Sequence, residues 1–404
     1  MSTKPLQGIR VLDLSRILAG PWCTQQLADL GAEVIKIEKP GSGDDTRSWG
    51  PPWLDGSQES AYYLSANRGK QSVAIDIAQP EGQQLIHQLL EQCDVLVENF
   101  KVGGLKKYGL DYTSLKQKKP DLIYCSITGF GQDGPYAQRA GYDFMIQAMG
   151  GLMSLTGQPD DQPGGGPMKI GVAFADIFTG LYASNAILAA LYQRQQTGVG
   201  THIDLSLLDV QVGVLANQAL NYLTSGKVPQ RLGNAHPNIV PYQSFASADG
   251  YIILAVGNDG QFQRFCKLAG CSELVADPRF SSNRLRVEHR AELIPLLEPV
   301  LKTHSTDEWL ALLEPAAVPC GPINTLDRVF ADPQVQHRNM ALTLPHPEAG
   351  EVKLVSNPVR FDGQALNAES APPLLGEHTT AVTSRLLGLT REQQETLKQK
   401  GVLG

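Results

Sequence analysis

Residues 9–37, IRVLDLSRILAGPWCTQQLADLGAEVIKI, decide the fold class of this chain. Residues 9–14 read as a short apolar strand, Pro21 opens a helical stretch that runs to Leu30, and residues 33–37 form a second strand. A strand-helix-strand unit of this kind builds a parallel sheet covered by helices. The alternation continues with strands at 72–77, 95–98 and 122–126 and a helix at 80–92. The first third is therefore α/β.

Working outward, residues 176–194 carry a long helical pattern that places Ile177, Leu181, Leu188 and Leu191 on one face and predicts burial. Thr197-Gly198-Val199-Gly200 breaks it, 202–207 is strand-like, and a further helical run covers 208–223. After Gly226 the pattern changes to strands at 243–246 and 251–256 and helices at 261–268 and 291–301. We expect a large α/β domain over 1–225, a smaller α+β domain over 226–323, and a segment over 324–404 that returns to the large domain. Its last part carries two short helices, 379–387 and 391–400.

The composition fits a folded enzyme: 404 residues, 42% hydrophobic and 19% charged, exceed the ~100–200 residues of one domain. A formal charge of -7 argues against an overall grip on nucleic acid or acidic membrane. The six cysteines show no CxxC pair and the start lacks the apolar core of a signal peptide, which points to reduced thiols in a cytoplasmic protein. No uninterrupted apolar stretch approaches the ~18–20 residues of a membrane span.

Several chemistries lack their motifs. The first strand-helix turn, Ser15-Arg16-Ile17-Leu18-Ala19-Gly20-Pro21, has no G-x-G-x-x-G, and Glu38 reads as a solvated strand end rather than a ribose-binding acid. Gly164-Gly165-Gly166 lacks the lysine of a phosphate loop. The eight histidines form no cluster of metal-ligand spacing, so no metal is expected. No G-x-S-x-G is present, and Cys23, near a helix start, is a nucleophile candidate that more commonly proves a buried small hydrophobe. Asp176, directly before a long apolar helix, is first a candidate N-cap. Its neighbours, Gly171-Val172-Ala173-Phe174-Ala175 and Ile177-Phe178-Thr179-Gly180, are small enough to leave room beside the carboxylate.

Segments spread along the chain resemble the class III CoA-transferases, the formyl-CoA and carnitine CoA-transferase family. They are Gly8-Ile9-Arg10-Val11-Leu12-Asp13, Ala19-Gly20-Pro21, residues 30–38 (LGAEVIKIE), Val97-Glu98-Asn99-Phe100, Gly141-Tyr142-Asp143, Asp176-Ile177-Phe178-Thr179-Gly180, Arg231-Leu232-Gly233-Asn234 and residues 372–379 (PPLLGEHT). The resemblance implies a Rossmann-like large domain completed by the C-terminal segment, a smaller domain, and a homodimer of two interlocked rings. It places the nucleophile on Asp176 and CoA contacts on Ile17, Leu18, Lys39, Ile75, Asn99, Phe100, Lys101, Lys107, Arg139, Tyr142 and Asp143. CoA is then a substrate, and no cofactor is held permanently. Residues 43–52 (GDDTRSWGPP), 124–129 (YCSITG), 138–143 (QRAGYD) and 239–243 (IVPYQ) are similar to members that take succinyl-CoA as donor and a dicarboxylate such as glutarate as acceptor.

Lys101, Lys106 and Lys107 make a basic patch suited to the phosphates of CoA. A second carboxylate would need a cation, for which Arg47, Arg68, Arg139 and His236 are candidates, with Asn238 in the same loop as His236; Arg47 is equally suited to an ion pair with Asp44 or Asp45. Leu18 stands where formyl-CoA transferase has glutamine and Lys39 where it has arginine. Residues 236–241 (HPNIVP) replace its glycine-rich loop, which disfavours formyl or oxalyl transfer. Two alternatives stay open: proton exchange at the α-carbon of a 2-methylacyl-CoA, with His236 and Asp176 as the acid/base pair, and a non-catalytic CoA-binding protein.

Overall fold

Successive side chains of the first strands enter different cores, and this period of two sets the architecture of the larger unit. The computed structural model of the protein describes residues 4–404. Six strands, β1 (Arg10–Asp13), β2 (Glu33–Glu38), β3 (Lys70–Ala74), β4 (Val95–Glu98), β5 (Ile123–Thr128) and β6 (His202–Ser206), form one parallel sheet in the order β3-β2-β1-β4-β5-β6. Val11, Val34, Val97 and Cys125 face one apolar layer, and Leu12, Ile35, Leu96 and Tyr124 face the other.

The first layer is closed by helices α1 (Ala19–Asp29) and, later in the chain, a 24-residue helix, Phe174–Thr197. Helix α2 (Pro80–Glu91) and the last two helices, Thr379–Leu387 and Arg391–Gln399, close the second. Between β4 and β6 the chain forms α3 (Tyr112–Lys118), α4 (Asp143–Met149) and the long helix, hereafter α5. The expected 208–223 helix is two, Leu207–Gly213 and Ala216–Ser225, separated where Ala216 takes a positive φ of 46°.

The C-terminal segment seals the β3 edge, which would otherwise present unpaired backbone groups. Gly69, Asp76 and Gly404 donate backbone N–H bonds to Ser370, Val402 and Ala74. It also completes buried charges: the Asp29 carboxylate takes Arg68 Nε at 2.8 Å, Asn357 Nδ2 at 3.0 Å and the Ala368 amide at 2.9 Å.

The chain divides into two compact units, residues through 152, 170–223 and 334–404 in one and 153–169 and 224–333 in the other. Residues 153–169 thus pack with the smaller unit, because Gly233 donates to the Gly157 carbonyl and the Arg231 guanidinium reaches Gln158 and Asp160. That unit has a three-stranded antiparallel sheet, Tyr242–Ala246, Tyr251–Ala255 and Cys320–Pro322, around a core of Trp309, Phe262, Phe265 and Phe280.

Helix α5 departs from the expectation of burial. Ala175, Thr179, Ala183 and Ile187 face the core, but Leu181 is 41%, Tyr182 47% and Tyr192 67% exposed. Periodicity cannot tell a doubly covered helix from one with an uncovered apolar face. Among the described residues it is also the one helix long and apolar enough to cross a bilayer.

Candidate active site

The strand order reverses between β1 and β4, and in open parallel sheets the crevice beyond the strand ends at that point receives ligands. Here the loop after β1 meets the loop after β4. The Asn99 amide ties them in both directions, Oδ1 accepting the Arg16 N–H at 2.9 Å and Nδ2 donating to the Arg16 carbonyl at 2.7 Å. Ile17 has φ of 71°, a conformation strained for a β-branched residue and characteristic of functional sites. Its N–H donates to Asp44 at 3.2 Å. Burial would raise the Asp44 carboxyl, but the buried Lys36 ammonium 2.9 Å away and Thr46 hold it at about 2. A fixed anion therefore holds the strained turn.

Ile17, Leu18, Asn99, Phe100 and Lys101 are thus brought to one crevice, and Lys101, Lys106 and Lys107 are exposed. Lys39, just past β2, is exposed as well. Ile75 is not available to a ligand: it is 1% exposed and bridged to Leu403. Two further expectations fail together. Glu38 is a buried carboxylate rather than a solvated strand end, and it pairs with Arg47 through Nε at 2.8 Å and Nη2 at 2.7 Å. Arg47 also bonds Glu59 at 2.7 Å and so is committed to the structure, with partners other than Asp44 or Asp45. Arg68 is likewise spent on Asp29, although it lies on the wall of an apolar cavity of about 590 Å³ between α1, residues 53–65 and the 341–355 hairpin.

A second group of side chains gathers at the start of α5. Gly129, just past β5, and Gly141 touch backbone to backbone; a Cβ on Gly129 would lie 2.5 Å from the Gly141 Cα. This contact sets Tyr142 and Asp143 beside the sheet. Asp176 is not the N-cap of α5 but its third residue, and Ala173 at the cap position has no side-chain bond. The cap comes from another helix: Asp143 Oδ1 accepts the N–H groups of Ala175 at 2.8 Å and Asp176 at 3.3 Å. Gln147, fully buried, donates to Asp143 Oδ2 at 2.7 Å and accepts the Ile170 N–H at 3.0 Å. Asp143 therefore positions the start of α5.

Because Asp143 already occupies these amides, the helix end does not keep the Asp176 carboxyl acidic. Burial, with the Asp143 charge added, pushes it up to about 7. The Phe174 and Phe178 rings meet one turn apart at 4.4 Å, tilted by 37°. The small residues are only partly open: Gly171 has free space, whereas Gly180 is packed against the Ala19 carbonyl and Trp22 of α1.

Tyr62 and Trp49 escaped the sequence reading. Burial and the charges of Asp176, Asp143 and Asp44 push the Tyr62 phenol up to about 12, so it stays protonated as a donor, and Trp49 meets its ring edge-on at 5.1 Å. The signal was available in the position of Trp49 within GDDTRSWGPP. Arg139 is exposed and lies over the rings of Phe130 at 5.2 Å and Tyr136 at 4.5 Å, and Tyr142 is 69% exposed. Cys23 is no nucleophile, since burial pushes its thiol well up. His236 and Asn238 belong to the other unit, where His236 Nδ1 accepts the Asn238 N–H at 3.1 Å and Arg290 bonds the His236 carbonyl.

A switch-point crevice edged by lysines, together with a carboxylate of raised pKa on the first turn of α5, suits an enzyme that handles a phosphate-bearing carrier. The chain belongs to CoA-transferase family III, whose model matches residues 6–379. It is 50% identical over 391 residues to the succinate–glutarate CoA-transferase of Agrobacterium fabrum, covering 96% of this chain and 97% of that one. It is 47% identical over 384 residues to the human succinyl-CoA:glutarate CoA-transferase, covering 95% and 86%. A solved CAIB/BAIF family protein from Brucella suis matches with a TM-score of 0.84 at 54% identity, covering 95% of this chain and 100% of that one. Rv3272 from Mycobacterium tuberculosis matches with a TM-score of 0.83 at 33% identity, covering 94% and 99%.

Proposed function

We propose that this CoA-transferase moves CoA from succinyl-CoA to a dicarboxylate such as glutarate through covalent intermediates on Asp176. The observation that carries the mechanism is the partly buried Asp176 carboxyl, raised to about 7, on a first turn of α5 whose Ala175 and Asp176 N–H groups Asp143 accepts. Raised basicity makes a better nucleophile, and an apolar surround slows hydrolysis of what forms. The carboxylate attacks the thioester carbonyl, CoA thiolate leaves, and a succinyl-aspartyl anhydride results. Thiolate then attacks the aspartyl carbonyl, releasing succinate and leaving an aspartyl-CoA thioester. The acceptor carboxylate displaces the thiolate from it, and the thiolate returns to the acceptor carbonyl, freeing Asp176.

In this reading CoA lies in the β1/β4 crevice, with Ile17, Leu18, Asn99 and Phe100 along it and Lys39, Lys101 and Lys107 at its phosphates. The Rossmann-like description is supported by the strand order, with three strands on either side of the reversal. The exposed apolar face of α5, with Leu220, Tyr222 and Leu223 of the helix Ala216–Ser225, supports a homodimer. The free thiols support a cytoplasmic site of action. The choice of succinate and glutarate follows the names of relatives at 45–50% identity.

Asp176→Ala should abolish exchange between succinyl-CoA and glutarate while circular dichroism stays native. Mass spectrometry of wild type incubated with succinyl-CoA should find the adduct on the peptide containing Asp176. Turnover in the variant, or loss of α-deuterium from an acyl-CoA with no acceptor acid present, would overturn the mechanism.

A further inference from the structure

Next to the lysine patch is a pocket of about 250 Å³ lined by Glu98, Lys101, Lys106, Tyr112, Ser126 and His202. Its Glu98, Ser126 and His202 have no part in the chemistry above. Glu98, the last residue of β4, is 5% exposed, and its Oε2 accepts the Phe100 N–H at 2.8 Å. The neighbouring Ser126 hydroxyl favours the ionised form of the same carboxyl, and Ser126 Oγ lies 3.0 Å from His202 Nε2. The imidazole is fixed in turn, stacked on Tyr112 at 4.5 Å and meeting Tyr124 edge-on at 5.5 Å. A buried carboxyl is an expensive way to form a turn that a small neutral side chain also makes. Its neighbours explain its place: Glu98 holds the backbone of Phe100 while Asn99 ties the same loop to Arg16.

We propose that Glu98 is a positioning residue for CoA binding: its carboxylate, which accepts the Phe100 N–H and sits beside the Ser126–His202 pair, fixes the 99–101 loop in the conformation that receives CoA. This rests on the assignment of that loop to CoA made above. The groups facing Glu98 are Tyr124, Cys125 and Ser126 of β5, His202 and Asp204 of β6, and Lys101, Lys106 and Asp111 of the segment after β4. Burial, with the Asp204 charge, raises the carboxyl to about 7 against the pull of Ser126 and the Phe100 amide. The two forms are thus both populated near neutrality. When ionised, Glu98 accepts from both Phe100 N–H and Ser126 O–H. When protonated, it donates to Ser126 Oγ, the Ser126 proton turns to His202 Nε2, and the Phe100 amide is left facing a neutral carboxyl.

The test is titration of CoA into wild type and Glu98→Gln between about pH 6 and 8, with steady-state kinetics on succinyl-CoA. The 3′-phosphate of CoA itself titrates near pH ~6, which cancels in the wild-type to variant ratio. We expect wild type to gain about fivefold more affinity than the variant as pH rises through about 7, and the variant's KM to rise up to about tenfold with kcat changed less than about twofold. Ser126→Ala keeps the carboxyl but removes a bond that favours its ionised form, so the midpoint should move to higher pH. An identical pH ratio in wild type and Glu98→Gln, or a fall in kcat with KM unmoved, overturns the proposal. Asn99→Ala and Lys101→Ala separate the two readings. Unchanged CoA affinity in both removes the CoA site from this loop, whereas weakened affinity there with a silent Glu98→Gln removes only the role of Glu98.

Discussion

Gly180→Ala tests whether the contact between α1 and α5 sets the active-site geometry. A Cβ there would stand 2.7 Å from the Ala19 carbonyl oxygen and 3.1 Å from two Trp22 carbons, where ordinary contact begins at 3.4 Å. The helices must part by about 0.7 Å to admit it. Two stability effects oppose each other: alanine is a better helix former by about 1 kcal/mol, and overpacking costs about 1–3 kcal/mol, for a net loss of about 0–2 kcal/mol. Catalysis is more sensitive. The turn before α1 carries Ile17 and Leu18, α5 carries Asp176, and a misplacement of ~1 Å costs about 100-fold, so kcat should fall about 10- to 50-fold. Exchange kinetics and thermal melts measure both effects, and Gly213→Ala, in the helix Leu207–Gly213 with nothing within 4 Å, serves as the neutral control. Full kcat in Gly180→Ala with an unchanged or higher Tm would refute the idea that this contact aligns the nucleophile.

Two predictions concern the Asp176 carboxyl. The proposed attack on the thioester uses its ionised form, so kcat should fall below about pH 7; Asp143→Asn, by removing the adjacent negative charge, should move that limb to lower pH while lowering Tm through the weakened cap. A limb that stays in place would assign the titration to another group. Asp176 also costs stability: its folded value of about 7 exceeds the usual 3.8, so the fold loses stability as pH rises from about 4 to about 7. Asp176→Asn should therefore be more stable than wild type by about 2–4 kcal/mol at about pH 8, allowing for partial solvent access, and the difference should vanish toward pH ~4 in denaturant titrations.

The α/β unit was readable because β1, α1 and β2 each carry strong local patterns, and the helices 379–387 and 391–399 were placed to within a residue for the same reason. What stayed hidden depends on contacts distant in sequence. Asp143 caps a helix more than thirty residues later, and no local motif announces that. Glu38 read as solvated because Arg47, Ser72 and the C-terminal segment cover it only in three dimensions. The position of Asp176 was legible from helical periodicity, but its chemistry came from the family motif. The uncovered side of α5 was misread since apolar residues all around a helix say that it is covered, not by what.

The closure of Asp29 and the β3 edge by residues 355–404 has a consequence for how the chain is made. A ribosome adding ~5–20 residues per second reaches residue 355 only about 7–30 s after it completes the sixth strand at Ser206. Throughout that interval the Asp29 carboxylate lacks Asn357 and the Ala368 amide, and β3 lacks its cover. The nascent sheet would therefore wait through that interval with an open edge, and it is then that its unpaired strand most needs a chaperone.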